Sequence, residues 1–200
     1  MRLEPVKRPP TWKARLAAWS MRRRLGKVMT PARVVYDRVP RMYDVGWALL
    51  KVQERGLVLD PGTRHLVTTW VAMLNRCAFC VDIGRAFAVL SRLGLSKLDA
   101  LPGWRTSPLF DDRERAALAY VEEATRERRV SDETFERLRK HFSEREIVEI
   151  TLLNAIENFY NLVNLPLEIE SDELCRIAQM RVGGGQPGPA PLRPGADSSI

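Results

Sequence analysis

Local helix-start signals constrain this chain more than any other feature. Asp111 with Glu114 opens "DDRERAALAYVEEATRER", Ser131 opens "SDETFERLRKHF", and Ser143 with Glu146 opens "SEREIVEITLLNAIENFYNLVN". An N-cap oxygen accepts a backbone N–H of the first turn, and at Asp111 and Ser143 a glutamate three residues on returns the bond, so each start is specified locally. Upstream, "RMYDVGWALLKVQERG" runs to Gly56, "DPGTRHLVTTWVAMLNR" carries Leu66, Trp70, Met73 and Leu74 at helical spacing, and "CVDIGRAFAVLSRLG" stops at Gly94. Each terminal glycine offers the left-handed conformation that closes a helix. No segment alternates apolar and polar residues with the period of two that marks a strand, and no repeat of fixed length recurs. The expected class is all-α.

The 200 residues suit one helical domain with two contrasting ends. Residues 1–40 read as a basic N-terminal arm. After the Pro-rich "EPVKRPP", Trp12, Leu16 and Trp19 fall at i, i+4, i+7 beside Arg15, Arg22, Arg23 and Arg24, the pattern of a basic amphipathic helix. Residues 41–181 form the helical domain, and 182–200, dominated by Gly and Pro, form a tail expected to be disordered. The net charge of +7 is unevenly placed: residues 1–41 hold 12 of the 32 Lys and Arg with only Glu4 and Asp37 as acids, giving +10 there and −3 afterwards. The arm can lie on an acidic membrane surface or touch phosphates, but packing of its Trp face on the body or a neighbouring subunit is the favoured expectation.

No apolar run approaches the roughly 18–20 residues a membrane-spanning helix needs, and the N-terminus lacks the apolar stretch of a signal peptide. A cytoplasmic location is the expectation. Three cysteines are an odd count and too few for a secreted disulfide scaffold.

Cys77 and Cys80 stand three positions apart at the opening of an apolar helix. Unpaired N–H groups and the helix dipole favour a thiolate there, and residues three apart share a helical face, so the pair can close into a disulfide with little backbone movement. One sulfur can attack a peroxide or disulfide while the other resolves the product. Two other readings stand beside this one. Zinc would need four ligands, and only Cys175, His65 and His141 remain to complete the set, without a second C-x-x-C or an H-x3-H spacing. Cysteines are also often buried, inert packing residues.

Residues 59–101, "LDPGTRHLVTTWVAMLNRCAFCVDIGRAFAVLSRLGLSKLDAL", resemble the carboxymuconolactone decarboxylase superfamily, specifically its AhpD-like alkyl hydroperoxidase branch. The stretches "SPLFDDRERAALAYVEEAT" and "VSDETFERLRKHFSEREIVEITLLNAIENFYNLVN" look like the remainder of that domain, so the likeness spans roughly residues 40–170. The resemblance implies a small all-helical domain with oligomeric helix packing, usually trimers or hexamers. It makes Cys80 the attacking and Cys77 the resolving thiol of a redox-active disulfide.

Two positions depart from the family pattern. The proton-relay histidine, four residues after the second cysteine, is replaced by Gly84; the relay glutamate, twelve residues before the first, is replaced by His65. A base one turn from Cys80 is thereby lost, and an imidazole at His65 is a candidate substitute. Asp82 should point away from both sulfurs, as a first-turn acid favoured by the dipole. His141 suits a helix end, Cys175 reads as a bystander, and Glu157, Asn158 and Tyr160 can line a pocket. The expected function is that of a thiol-dependent peroxidase or disulfide reductase, an antioxidant oxidoreductase with no metal, flavin or other cofactor. Its partners are a hydroperoxide or disulfide substrate, an external thiol reductant protein and further copies of the chain. The alternative is a weakly active or non-enzymatic redox-sensing scaffold. Either use of the dithiol calls for sulfurs reachable from solvent.

Overall fold

The local start signals operate as read. In the computed structural model, which describes residues 1–54 and 56–183, the Asp111 carboxylate accepts the Glu114 N–H at 2.7 Å and Glu114 returns a bond to the Asp111 N–H at 3.1 Å. Ser143 and Glu146 form the second such box, and Ser131 caps Thr134. The described residues build α1 (Trp12–Leu25), α2 (Met42–Glu54), α3 (Pro61–Leu74), α4 (Ala78–Leu90), the short α5 (Ser96–Ala100), α6 (Asp112–Glu127), α7 (Asp132–Arg139), α8 (Glu144–Asn164) and α9 (Leu174–Gly183). A π-helical turn at Ala32–Tyr36 links α1 to α2. No strand occurs among the described residues, and the fold is all-α.

Two packed regions divide the interior. In the larger, α3 lies against α6 and α8, and Leu66, Val67, Trp70, Leu118, Val121 and Ile150 fill the space between them. In the smaller, α4 packs mainly on α9, with Leu174 and Ala178 meeting Phe79, Cys80 and Ala86; Leu25 and Val34 from the N-terminal segment close the same cluster. The first forty residues are therefore bound to the body: Thr30 donates N–H and hydroxyl bonds to the buried Asp172 carboxylate at 2.6 and 2.7 Å.

Three local expectations change. The face of α1 that packs on the body is Ala14, Ala17 and Ala18, whereas Trp12, Leu16 and Trp19 stand 69 %, 50 % and 58 % exposed. Small side chains allow the closer helix approach, so within the chain the Trp face is the outer one. Helix α4 ends at Leu90 with Arg92 in the left-handed conformation (φ 57°), two residues before the glycine expected to close it. Helix α9 continues through Gly183, so residues 182 and 183 are helical rather than tail; the expectation for 184–200 lies outside the described residues.

Candidate functional site

The dithiol is placed by a helix end and a helix start sharing one residue. Helix α3 ends at Leu74 with Asn75 as its C-cap, and Arg76 takes the left-handed conformation at φ 57°. The Cys77 N–H then bonds the Ala72 carbonyl and the Arg76 N–H bonds the Met73 carbonyl, both at 3.0 Å, which is the Schellman closure. Glycine usually occupies the left-handed position; an arginine there costs on the order of 1 kcal/mol. Cys77 is at once the residue that ends this closure and the N-cap of α4, and its carbonyl accepts the Val81 N–H. Cys80 follows in the first turn, among the helix's unpaired N–H groups.

Cys77 and Cys80 are joined as a disulfide with a Cα–Cα separation of 5.2 Å. The pair sits inside the smaller apolar cluster: Cys77 is 0 % and Cys80 5 % exposed, so only Cys80 keeps any opening to solvent. The solvent access expected of both sulfurs is thus slight at most, and it falls on Cys80 rather than Cys77. A surface concavity beside the α3–α4 turn, lined by Met73, Arg76, Ala78, Val81 and Arg85, passes the sulfurs by. It is also lined by Cys175, the free cysteine, which is partly buried.

The face of α8 turned toward this turn carries a run of buried amides, Asn154, Asn158, Asn161 and Asn164. The Asn75 side-chain N–H donates to Asn158 at 2.9 Å and to Asn161 at 2.7 Å; Asn161, fully buried, donates to Glu157 at 2.7 Å. One turn further on, the Asn164 Nδ2 donates to Cys80 Sγ at 3.4 Å. Burial pushes the Glu157 carboxyl up to about 7 against the modest lowering from Asn161. Tyr160 beside it is also raised, by burial first and by Glu157 last, although the Gln53 amide bonded to its hydroxyl opposes the shift. Sequence reasoning singled out Glu157, Asn158 and Tyr160 only as pocket candidates and passed over Asn75, Asn161 and Asn164; the recurrence of asparagine every three to four residues on one helical face was the available signal.

The structure brings Cys77 and Cys80 together and does not bond His65 to either. His65 lies on α3, partly buried, and its ring makes no hydrogen bond or ion pair to a sulfur; burial, then the Arg64 guanidinium, holds its pKa below the usual imidazole range. The position of the missing relay histidine is physically closed: a Cβ on Gly84 would come within 2.9 Å of the Thr69 hydroxyl, so α3 and α4 approach there at glycine distance.

Asp82 does point away from the sulfurs, but it is buried rather than a free first-turn acid. Its carboxylate accepts the Leu174 and Cys175 N–H groups at 2.8 and 2.9 Å, capping α9 from another helix. Among the described residues no group of three or more His, Cys, Asp or Glu side chains is arranged to hold a metal ion. None of the described helices is long and apolar enough to cross a membrane.

Comparison with known proteins agrees with this architecture. The uncharacterized protein YnjA of Escherichia coli (strain K12) is 37 % identical over 188 residues, covering 90 % of this chain and 100 % of YnjA. A crystal structure from Agrobacterium tumefaciens, of a protein of unknown function provisionally assigned to AhpD antioxidant defence, superposes with a TM-score of 0.63 at 31 % identity, covering 70 % of this chain and 97 % of that one. The debrominase Bmp8, without ligand, superposes with a TM-score of 0.75 at 19 % identity over 87 % of this chain and 94 % of its own, a likeness of fold. Residues 41–123 carry the pattern of the carboxymuconolactone decarboxylase family, and with YnjA aligned along its whole length the chain belongs to that family, in the fold of its AhpD-like members.

Proposed function

We propose that the chain is a dithiol oxidoreductase that reduces hydroperoxides, with reduction of a disulfide as the related use of the same sulfurs. In the cycle the Cys80 thiolate attacks the terminal oxygen of ROOH; the O–O bond breaks, Cys80 becomes a sulfenic acid, and RO⁻ takes a proton to leave as ROH. The Cys77 thiol then condenses with the sulfenic acid, forming the S–S bond and releasing water. An external thiol protein supplies two electrons and two protons to reopen the disulfide. The observation that carries this reading is the bonded Cys77–Cys80 pair at the N-terminus of α4, with Cys80 the less buried residue and the one whose sulfur accepts a side-chain N–H. His65, expected as the base, is bonded to neither sulfur and is assigned no step in the cycle.

The test is consumption of an organic hydroperoxide by the full chain with a thioredoxin-type reductant. The expected result is many turnovers for the parent, none for Cys80→Ser, and for Cys77→Ser a single turnover that leaves sulfenic acid on Cys80. No consumption above the Cys80→Ser background defeats the reading.

Burial favours a second reading. Leu25, Val34, Ile169, Leu174 and Ala178 pack in the cluster that contains both sulfurs, so opening the disulfide would disturb the seating of the N-terminal segment and α9. As a redox sensor the chain would be oxidised once, with a change in assembly or partner affinity and no sustained peroxide loss. Both readings take the protein as a homo-oligomer, with the basic arm meeting a neighbouring subunit or an acidic surface.

A further inference from the structure

The Asn164 side chain is 97 % buried at the end of α8, being 3 % exposed, and its two polar atoms are treated unequally. Nδ2 donates to Cys80 Sγ at 3.4 Å, while Oδ1 is a buried carbonyl oxygen with no hydrogen-bond partner. An orphaned buried acceptor is costly, and one held beside a reactive sulfur marks a place where a donor is missing. The usual occupant of such a relay is excluded, because Gly84 is packed against Thr69 and the His65 ring has no bond to the pair.

We propose that Asn164 forms a two-sided subsite for the terminal –OOH group, its N–H holding the Cys80 thiolate and its carbonyl receiving the hydroperoxide O–H. This rests on the peroxidase reading and supplies the substrate contact that reading lacks. The chemistry matches at each atom. A thiolate needs a donor, and Nδ2–H is one; the terminal oxygen of a hydroperoxide bears an O–H and is also the oxygen that sulfur attacks. A single amide would therefore bridge nucleophile and electrophile. As the S–O bond forms and the O–O bond breaks, the charge leaves sulfur for RO⁻, and the proton of the terminal oxygen remains on the sulfenic acid, still bonded to Oδ1. The subsite recognises the –OOH end alone, so small alkyl hydroperoxides and hydrogen peroxide are both substrates in class, and disulfides gain nothing from it.

Two variants separate the two atoms. In a Cys77→Ser, Cys175→Ser background, where Cys80 is the remaining thiol, its ionisation is followed by thiolate ultraviolet absorbance as pH is raised. Both Asn164→Ala and the near-isosteric Asn164→Asp should shift the titration up by about one unit or more, because each removes the donor and the second adds a negative neighbour. In the otherwise intact chain both should lose about tenfold or more in kcat/KM for hydroperoxide. Raising the pH above the shifted thiol value should restore the Asp variant, which keeps an acceptor oxygen, and leave the Ala variant defective through a higher KM.

Titrations that coincide with the parent's overturn the proposal. So does equal recovery of both variants, which removes the substrate contact. If the parent itself consumes no hydroperoxide, the functional reading and the substrate half of the subsite fail together, while the titration still decides whether Asn164 holds the thiolate.

Discussion

Glu157 faces inward from α8, and burial raises its carboxyl from 4.5 to about 7. The folded chain therefore binds this proton more tightly than the unfolded chain. Between about 4.5 and 7 the folded state holds more protons, so this residue makes the protein less stable as pH rises through that window, and the loss is complete above it. The size is on the order of 3 kcal/mol. Glu157→Gln, which keeps the Asn161 contact without the charge, should gain stability over the parent progressively from mildly acid to neutral pH and then hold a constant lead. Urea denaturation at several pH values measures it, and a constant difference across the range would refute the assignment. For His65 the direction is opposite: burial and Arg64 lower its pKa, so the ring is neutral near neutral pH and has no charge to hold a thiolate. His65→Ala should leave the Cys80 titration within about 0.3 unit of the parent. A shift of a full unit would restore His65 as the base.

Among the elements, α9 depends on a residue of another helix. Asp82 receives the N–H groups of Leu174 and Cys175, which have no intrahelical partners, and both bonds are charge-assisted. Asp82→Ala leaves these two donors unpaired in a buried seam, at a cost of about 2–4 kcal/mol. Because Leu174 and Ala178 pack in the same cluster as the dithiol, loosening α9 should also speed alkylation of reduced Cys80 by severalfold. Calorimetry and timed iodoacetamide labelling would show both effects; a lower melting temperature without faster labelling would mean that α9 does not gate the sulfur.

The same residue shows where sequence reading stops. The boxes at Asp111 and Ser143 close within four residues and are legible in the chain, as is the spacing that brings Cys77 to Cys80. The partners of Asp82 lie 92 and 93 positions away, and Asn164 meets Cys80 across 84, so their roles exist only once α9 and α8 are docked. Helix α1 misleads for a different reason. Apolar periodicity identifies a helix without saying which stripe faces inward, and the alanine stripe packs more closely than tryptophan would allow.

For the whole molecule, the open question is what covers the apolar side chains left outside. Along the outer face of α8, Val148, Leu152, Ala155, Phe159 and Leu162 are spaced by four, three, four and three, the seam through which one helix packs on another. Val148 and Leu162 stand 65 % and 61 % exposed, so most of each is left uncovered by the described chain. If the chain assembles with itself, as proposed above, a second copy is the occupant of this face. Replacing Leu152 and Leu162 together with Glu places two charges in that seam and should weaken assembly at least ~30-fold, the scale of an interface hot spot, as read by sedimentation velocity. The Trp12, Leu16 and Trp19 face of α1 differs in having Arg15, Arg22 and Arg23 beside it, with the Arg23 guanidinium 5.9 Å from the Trp19 ring centre. If that face seats on the acidic body of a neighbouring subunit, Trp12→Ala with Trp19→Ala should lower the assembled mass as the α8 variant does, and salt should deepen the loss. If it meets an acidic lipid surface instead, the mass should hold and only binding to anionic vesicles should fall. An unchanged mass in the α8 variant would show that α8 is not the seam on which copies meet.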